Sequence, residues 1–210
     1  MLFRSAKEKG ACPKSNETKY SQGIMPVDTY KKDLDSICVA QYRFQWEKLR
    51  EEAKKYGIRN STLMALMPSE TSAQISNSTN GIEPPRSLVS VKQSKDGVLK
   101  QVVPEVRKLK NKYDLLWDQK SPEGYIKIVS VLQKFIDQGI SVNTSYNPKF
   151  YEEEKIPMSE MIKHLLMFYK YGGKQLYYFN TFDGAGEMEV NQPELAQGAV
   201  DDEDCESCKI

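Results

Sequence analysis

Residues 46–72 read WEKLREEAKKYGIRNSTLMALMPSETS. With Phe44 and Gln45 added, the first part (FQWEKLREEAKKY) predicts a helix. Gly57 stops it, because a residue without Cβ takes a left-handed cap at little cost. RNSTLMALM (59–67) then reads as a buried strand, Pro68 ends it, and PSETSAQISN (68–77) opens a second helix. Helix, strand and helix in so short a run is the pattern of an α/β protein with a largely parallel sheet.

The alternation continues outward. NGIEPPR (80–86) fits neither period and is a loop. LVSVKQSKDGVLKQVV (88–103) is a hairpin signal with Asp96 and Gly97 at the turn. Helices follow at about 104–117 and 122–138, where YIKIVSVLQKFI carries apolar residues at helical spacing. ISVNTSY (140–146) is a short strand or extended loop. MSEMIKHLLMFYKYG (158–172) is an amphipathic helix ending at Gly172, and KQLYYFN (174–180) is a strand. Residues 1–43 show only turns and short helix. After Asp183 the chain becomes acidic and loses its apolar period, so 183–210 reads as a flexible tail. The expected organisation is an irregular segment (1–43), an α/β part (44–182) and the tail. Roughly three strands would share one sheet, and a small sheet with open edges is a liability. The chain therefore reads as part of a larger α/β domain, not a complete one.

The chain has 210 residues with 30 basic and 29 acidic side chains. That is length enough for one core and no charge surplus for a nucleic-acid or membrane partner. No apolar run spans a bilayer. MLFRSAKEKG lacks the apolar core and cleavage site of a signal peptide, so a cytoplasmic protein is expected. No internal repeat stands out.

Three features bear on chemistry. Cys205 and Cys208 form a C-x-x-C pair. In a reducing compartment this spacing points to redox chemistry or a metal rather than a structural staple. Asp201, Asp202, Glu203, Asp204 and Glu206 surround the pair, and their charge opposes thiolate formation. A metal site needs about four ligands, and Cys12, Cys38 and His164 are distant in sequence, so no metal is expected. A dithiol on an acidic tether suits a shuttle of reducing equivalents. Second, Ser69, Glu70, Thr71 and Ser72 open a helix. Hydroxyls and free N–H groups there suit an anion, and they suit ordinary capping as well. Third, Tyr177 and Tyr178 adjoin in a strand. Tyrosine is favoured in strands for its own sake. Neighbouring side chains of a regular strand face opposite ways, so the two rings meet only if the backbone departs from regular geometry.

The stretch quoted first resembles the signature of the ribonucleotide reductase large subunit, with Trp46, Leu49, Gly57, Ile58, Arg59, Asn60, Ala65 and Pro68 at its spacing. KGACP, GIMPVDTYKKDLD, ISNSTNGIEPPR, KDGVLKQVVPE, QKFIDQGIS, LYYFNT and CESCKI are also similar to the class I large (α) subunit, from about Ala6 to Ile210. The resemblance implies reduction of ribonucleoside diphosphates to deoxyribonucleoside diphosphates by radical chemistry. It implies that Ser69, Glu70, Thr71 and Ser72 hold the substrate diphosphate, with the last three as contacts. It implies that Tyr177 and Tyr178 relay a radical from the small subunit, and that Cys205 and Cys208 re-reduce an active-site disulfide before thioredoxin or glutaredoxin reduces them. The fold implied is the C-terminal portion of a ten-stranded α/β barrel.

The resemblance also implies what lies elsewhere. The family's thiyl-forming cysteine, its two oxidised barrel cysteines and its allosteric sites belong upstream. The expected partners are thus an N-terminal chain of the large subunit, as in a split phage-type gene, and a small subunit bearing a diiron–tyrosyl radical centre. No cofactor is expected on this chain. Cys12 falls in a non-catalytic part and Cys38 is a packed or surface thiol. Two departures stand out: the Cys-Glu-Ser-Cys spacing is shorter than the family's, which bears on the disulfide's potential, and Lys14 and Ser15 replace bulkier, more apolar residues. The competing readings are a fragment that binds reductase subunits and modulates their assembly, and a tail that binds metal or acts as a general thiol reductant.

Overall fold

The structure, a computed structural model, describes residues 4–39, 42–94 and 97–183; at Glu70, Thr71, Gln74 and much of the hairpin it describes the backbone alone. Helix α1 (Arg4–Lys9) leads into four 3-10 turns between Ser15 and Ser36. Helix α2 (Trp46–Tyr56) follows, and Gly57 ends it at φ 69°. A Cβ on Gly57 would lie 2.5 Å from Ser15 Oγ and 2.8 Å from Ala11 Cβ. Positive φ and close approach both demand glycine there. The small Ser15 has its reason at the same spot: it is buried, and its Oγ accepts the Ile58 N–H at 3.0 Å.

The segment expected as a buried strand, 59–67, is not one. It makes a single parallel bridge, Leu66 to Ile140, and Met64 and Met67 are exposed. Its backbone pairs with 138–141 only at Met64 and Leu66, and the Leu63 and Met64 N–H groups go to the Asp137 carboxylate at 2.7 and 2.8 Å. Helix α3 (Glu70–Ile75) is present as expected.

Strands β1 (Val89–Ser94) and β2 (Gly97–Val102) form the expected antiparallel hairpin. Its register pairs Ser94 with Gly97, so Gly97 opens β2, and the connecting Lys95 and Asp96 lie outside the described residues. The helix expected over 104–117 is broken into α4 (Val106–Leu109) and 3-10 turns at Lys110–Lys112 and Leu116–Asp118. Val106, Leu109, Tyr113 and Leu116 fall at helical spacing, but the backbone turns extended at Tyr113 and Leu115, and Arg107, Lys108, Lys110 and Lys112 set like charges along the run. The Leu116 N–H instead donates to the Pro85 carbonyl at 2.9 Å.

Helix α5 (Glu123–Gln133) stops short of the expected end at 138. The Gln133 carboxamide takes over the following turn, donating to the carbonyls of Ile136 and Gln138 and accepting the Ile140 N–H. Strand β3 (Val142–Tyr146), helix α6 (Met158–Lys170) and strand β4 (Leu176–Thr181) follow among the described residues, with β3 and β4 parallel. Among the described residues the sheet is thus this pair with the Leu66 bridge beside it. No closed barrel is formed by them.

Two apolar clusters hold these elements. One joins Tyr125, Ile126 and Val129 of α5 to Ile136, Ile140, Val142 and Phe168. The other joins Tyr20, Met25 and Val27 to Ala53 and Ile58. Arg50 of α2 clamps the second cluster from outside through both Asp28 carboxylate oxygens, at 2.6 and 3.1 Å. That contact holds the Asp28 carboxyl below its ordinary value. Between the clusters lies Asp137, which also accepts the Tyr20 hydroxyl at 2.8 Å.

Asp137→Ala strands three donors at once. Hydrogen bonds to a charged acceptor contribute about 1.5–3 kcal/mol, so a loss of about 2–4 kcal/mol is expected, read as a lower urea midpoint of the whole chain with unchanged m.

The chain's one histidine, His164 on α6, is buried at 1% exposure. Its Nδ1 lies 3.1 Å from the Tyr146 hydroxyl and its Nε2 lies 3.2 Å from Ser121 Oγ. Burial lowers its pKa, outweighing Glu160 and Glu123, and Lys163 adds to the lowering. The unfolded chain therefore takes up the proton first. Stability is full above the unfolded value near 6.5 and falls as pH drops through it toward the depressed folded value. Urea midpoints at pH 7.5 and 5.5 should show this slope, and His164→Asn should remove it.

Candidate functional site

A cavity among the described residues encloses about 640 Å³, within the range of small-molecule sites. Leu66, Met67 and Pro68 form one wall, the loop 78–87 another, and Tyr125, Asn143, Tyr177, Tyr178 and Asn180 a third. The tyrosine pair therefore borders this space, and Pro68, the residue before Ser69, borders it from another wall.

The tyrosine pair meets the geometric condition set by strand alternation. From Val142↔Leu176 the register passes to Asn143↔Tyr178, so Tyr177 is an inserted residue without a partner on β3. A bulge of this kind redirects side chains that would otherwise face opposite ways. The ring centroids lie 4.2 Å apart at an interplanar angle of 54°, and both rings are about half exposed. The Tyr178 phenol is raised above its ordinary value, first by its hydrogen bond with Tyr177 and then by the charge Tyr177 can carry.

At the helix start, Ser69 accepts the Ala73 N–H through its carbonyl at 2.8 Å, the position of an N-cap. Its own N–H donates to Asn80 Oδ1 at 3.2 Å. Ser69 thus adjoins the cavity through its neighbours Pro68 and Asn80, which line it. Ser72 is exposed. The side chains of Glu70 and Thr71, and both Cys205 and Cys208, lie outside the described residues. Cys12 and Cys38 are free thiols, and the Cys12 N–H donates to the Ile58 carbonyl at 2.8 Å.

Sequence reasoning passed over Asn80, Glu83 and Asn143, all of which line the cavity. One signal for Asn143 was present. Val142, Thr144 and Tyr146 are buried, and the period of two places Asn143 and Ser145 on the opposite face.

This is a mixed α/β domain in which a bulged parallel strand presents two touching phenols to a cavity of mixed apolar and polar lining. The model of the ribonucleotide reductase barrel domain matches residues 3–120 and 106–179, and the chain belongs to that family. It is 56% identical over 207 residues to the ribonucleoside-diphosphate reductase 1 subunit alpha of Salmonella typhimurium, covering 98% of this chain and 27% of that protein. It is 59% identical over 205 residues to the alpha subunit of Haemophilus influenzae, covering 98% of this chain and 26% of that protein. With the alpha subunit of Enterobacteria phage T4 the identity is 44% over 212 residues, covering 99% and 27%. The chain thus spans about a quarter of the length of these relatives. No helix among the described residues is long and apolar enough to cross a membrane.

In the whole chain, Tyr177→Phe should bring the Tyr178 phenol down toward the ordinary value near 10, because it removes the hydroxyl that raises it. Titration of tyrosines carrying ¹³C at Cζ, followed by NMR, reads this directly.

Proposed function

We propose that this chain supplies part of the catalytic barrel of a ribonucleoside-diphosphate reductase and contributes three functions to it. The observation that carries the reading is the contact of Tyr177 with Tyr178, 4.2 Å between centroids, on a wall of the cavity that Pro68 and Asn80 also border. Two phenols so close form a path for one-electron transfer, each hop moving an electron and a proton together. The path leads toward the place where the family resemblance puts the substrate, with Ser69, Glu70, Thr71 and Ser72 as the diphosphate loop. The radical would originate at the diiron–tyrosyl centre of a small subunit, outside this chain.

Cys205 and Cys208 would act after turnover. Each reduction of a ribose leaves a disulfide in the active site. Thiol–disulfide exchange passes two electrons and two protons from the tail dithiol to that disulfide, and the tail becomes the oxidised partner. Thioredoxin or glutaredoxin then reduces the tail. The acidic residues around the pair favour the protonated thiols, so delivery to the site rather than intrinsic nucleophilicity would govern the step.

The barrel itself would be completed by the rest of the large subunit, on an N-terminal chain that brings the thiyl-forming cysteine. Helix α6 supports this reading, since Met158, Ile162, Leu165, Leu166 and Tyr169 are all exposed on it, at the spacing of one apolar helix face that an adjoining element would cover.

The test mixes this chain with the N-terminal chain, the small subunit, thioredoxin and a ribonucleoside diphosphate. Deoxynucleotide should form only in the full mixture. Tyr177→Phe, Tyr178→Phe, Cys205→Ser and Cys208→Ser should each reduce turnover to background, the cysteine variants regaining it with dithiothreitol. Stable assembly without turnover would instead mark the chain as a binding module.

A further inference from the structure

The bulge that brings the two phenols together leaves backbone groups out of the ladder, and such groups need other partners. One side chain supplies them. Asn143, the β3 residue opposite Tyr178, accepts the Tyr178 N–H on Oδ1 at 3.2 Å. Its Nδ2 donates to Glu83 Oε1 at 2.6 Å. Tyr125 lies on the same cavity, its titration raised by burial first and then by Glu83. All five residues line the same cavity.

We infer that Asn143 is a positioning residue for the tyrosine pair: its carboxamide ties the bulged backbone of β4 to Glu83 on the facing loop and thereby fixes the Tyr177–Tyr178 contact. The chemistry is specific. A carboxamide accepts through oxygen and donates through nitrogen from one short planar group. Aspartate accepts but cannot donate, and it sets a second carboxylate against Glu83. Serine reaches only one of the two partners. The consequence for turnover rests on the relay reading above, while the clamp rests on the geometry alone.

Two measurements separate these. In the whole 210-residue chain, Tyr178 is titrated by NMR of ¹³Cζ-labelled tyrosine. Asn143→Asp should move its titration down to that of Tyr177→Phe. Adding Glu83→Gln should return it to the native position, because the new carboxamide on the loop donates to the new carboxylate on β3, whose other oxygen keeps the Tyr178 N–H. Asn143→Ser should shift it as Asn143→Asp does, and it decides the matter if the aspartate variant does not fold. A native titration in either single variant, or no recovery in the double variant, overturns the proposal. In the reconstituted reductase, Asn143→Asp should lower turnover at unchanged KM, and Glu83→Gln should restore it. If the titrations behave as stated while Tyr177→Phe leaves turnover intact, the clamp stands and the relay reading falls. Loss of turnover in Tyr177→Phe together with a native Tyr178 titration in Asn143→Asp keeps the relay and removes the clamp.

Discussion

The carboxylate of Asp137 receives three donors from two distant parts of the chain: the Leu63 and Met64 N–H groups and the Tyr20 hydroxyl. A carboxylate offers about four lone-pair sites on two oxygens, so one side chain satisfies this cluster without a strand ladder. On the other side of the same turn, the Lys174 ammonium donates to the carbonyls of Ile136, Asp137 and Gln138 at 3.1, 2.8 and 3.4 Å. Burial, with Lys19 nearby, lowers the Lys174 pKa despite the attraction of Asp137. Lys174 stands two residues before β4. The turn 136–138 therefore fixes the approach to Pro68 and the entry of β4, the two ends of chain whose separation sets the width of the cavity.

That shared anchor explains how a parallel pair can carry a bulge at its first rung. A bulge adds one residue to one strand, and the register after it survives only if both strands are fixed beyond the defect. Here β4 is tied at Lys174 before the bulge. After it, Asn180 Nδ2 reaches Ser145 Oγ at 3.5 Å and the Phe182 N–H donates to the Tyr146 carbonyl at 2.9 Å. Trp117 adds a ring contact with Phe182 at 5.2 Å. The inserted Tyr177 has nowhere to relax along the strand, and its ring stays against Tyr178.

Helices α2, α5 and α6 were legible in the sequence because each carries apolar residues at the period of a helix. The segment 59–67 was read as a strand from its composition; it pairs with 138–141 only at Met64 and Leu66, while the Leu63 and Met64 N–H groups go to a side chain seventy-odd residues away. The run 104–117 was read as a helix from apolar residues at helical spacing, and it is broken where Tyr113 and Leu115 turn extended and the Leu116 N–H goes to the Pro85 carbonyl. At the site, the meaning of Tyr177, Tyr178, Ser69–Ser72, Cys205 and Cys208 came from family resemblance, since strand propensity and capping account for the first two groups equally well. Asn143 and Glu83 were invisible for a physical reason: they are sixty residues apart in the chain, and a lone asparagine in a strand or a glutamate in a loop looks like solvated surface until the fold closes.

On the proposed reading, the two redox elements of this chain obey opposite constraints. Electron transfer between phenols depends steeply on separation, so the tyrosines need a rigid support, and a strand pinned at both ends provides one. Thiol–disulfide exchange needs contact only at the moment of attack, between partners that must afterwards separate. Cys205 lies twenty-two residues beyond Asp183, and so many residues span at most about 75 Å when extended. A dithiol on such a tether has the reach to visit both a buried disulfide and an external reductant, which a residue fixed on the sheet does not. The separation of Tyr177–Tyr178 from Cys205–Cys208 along the sequence thus follows from the two kinds of transfer.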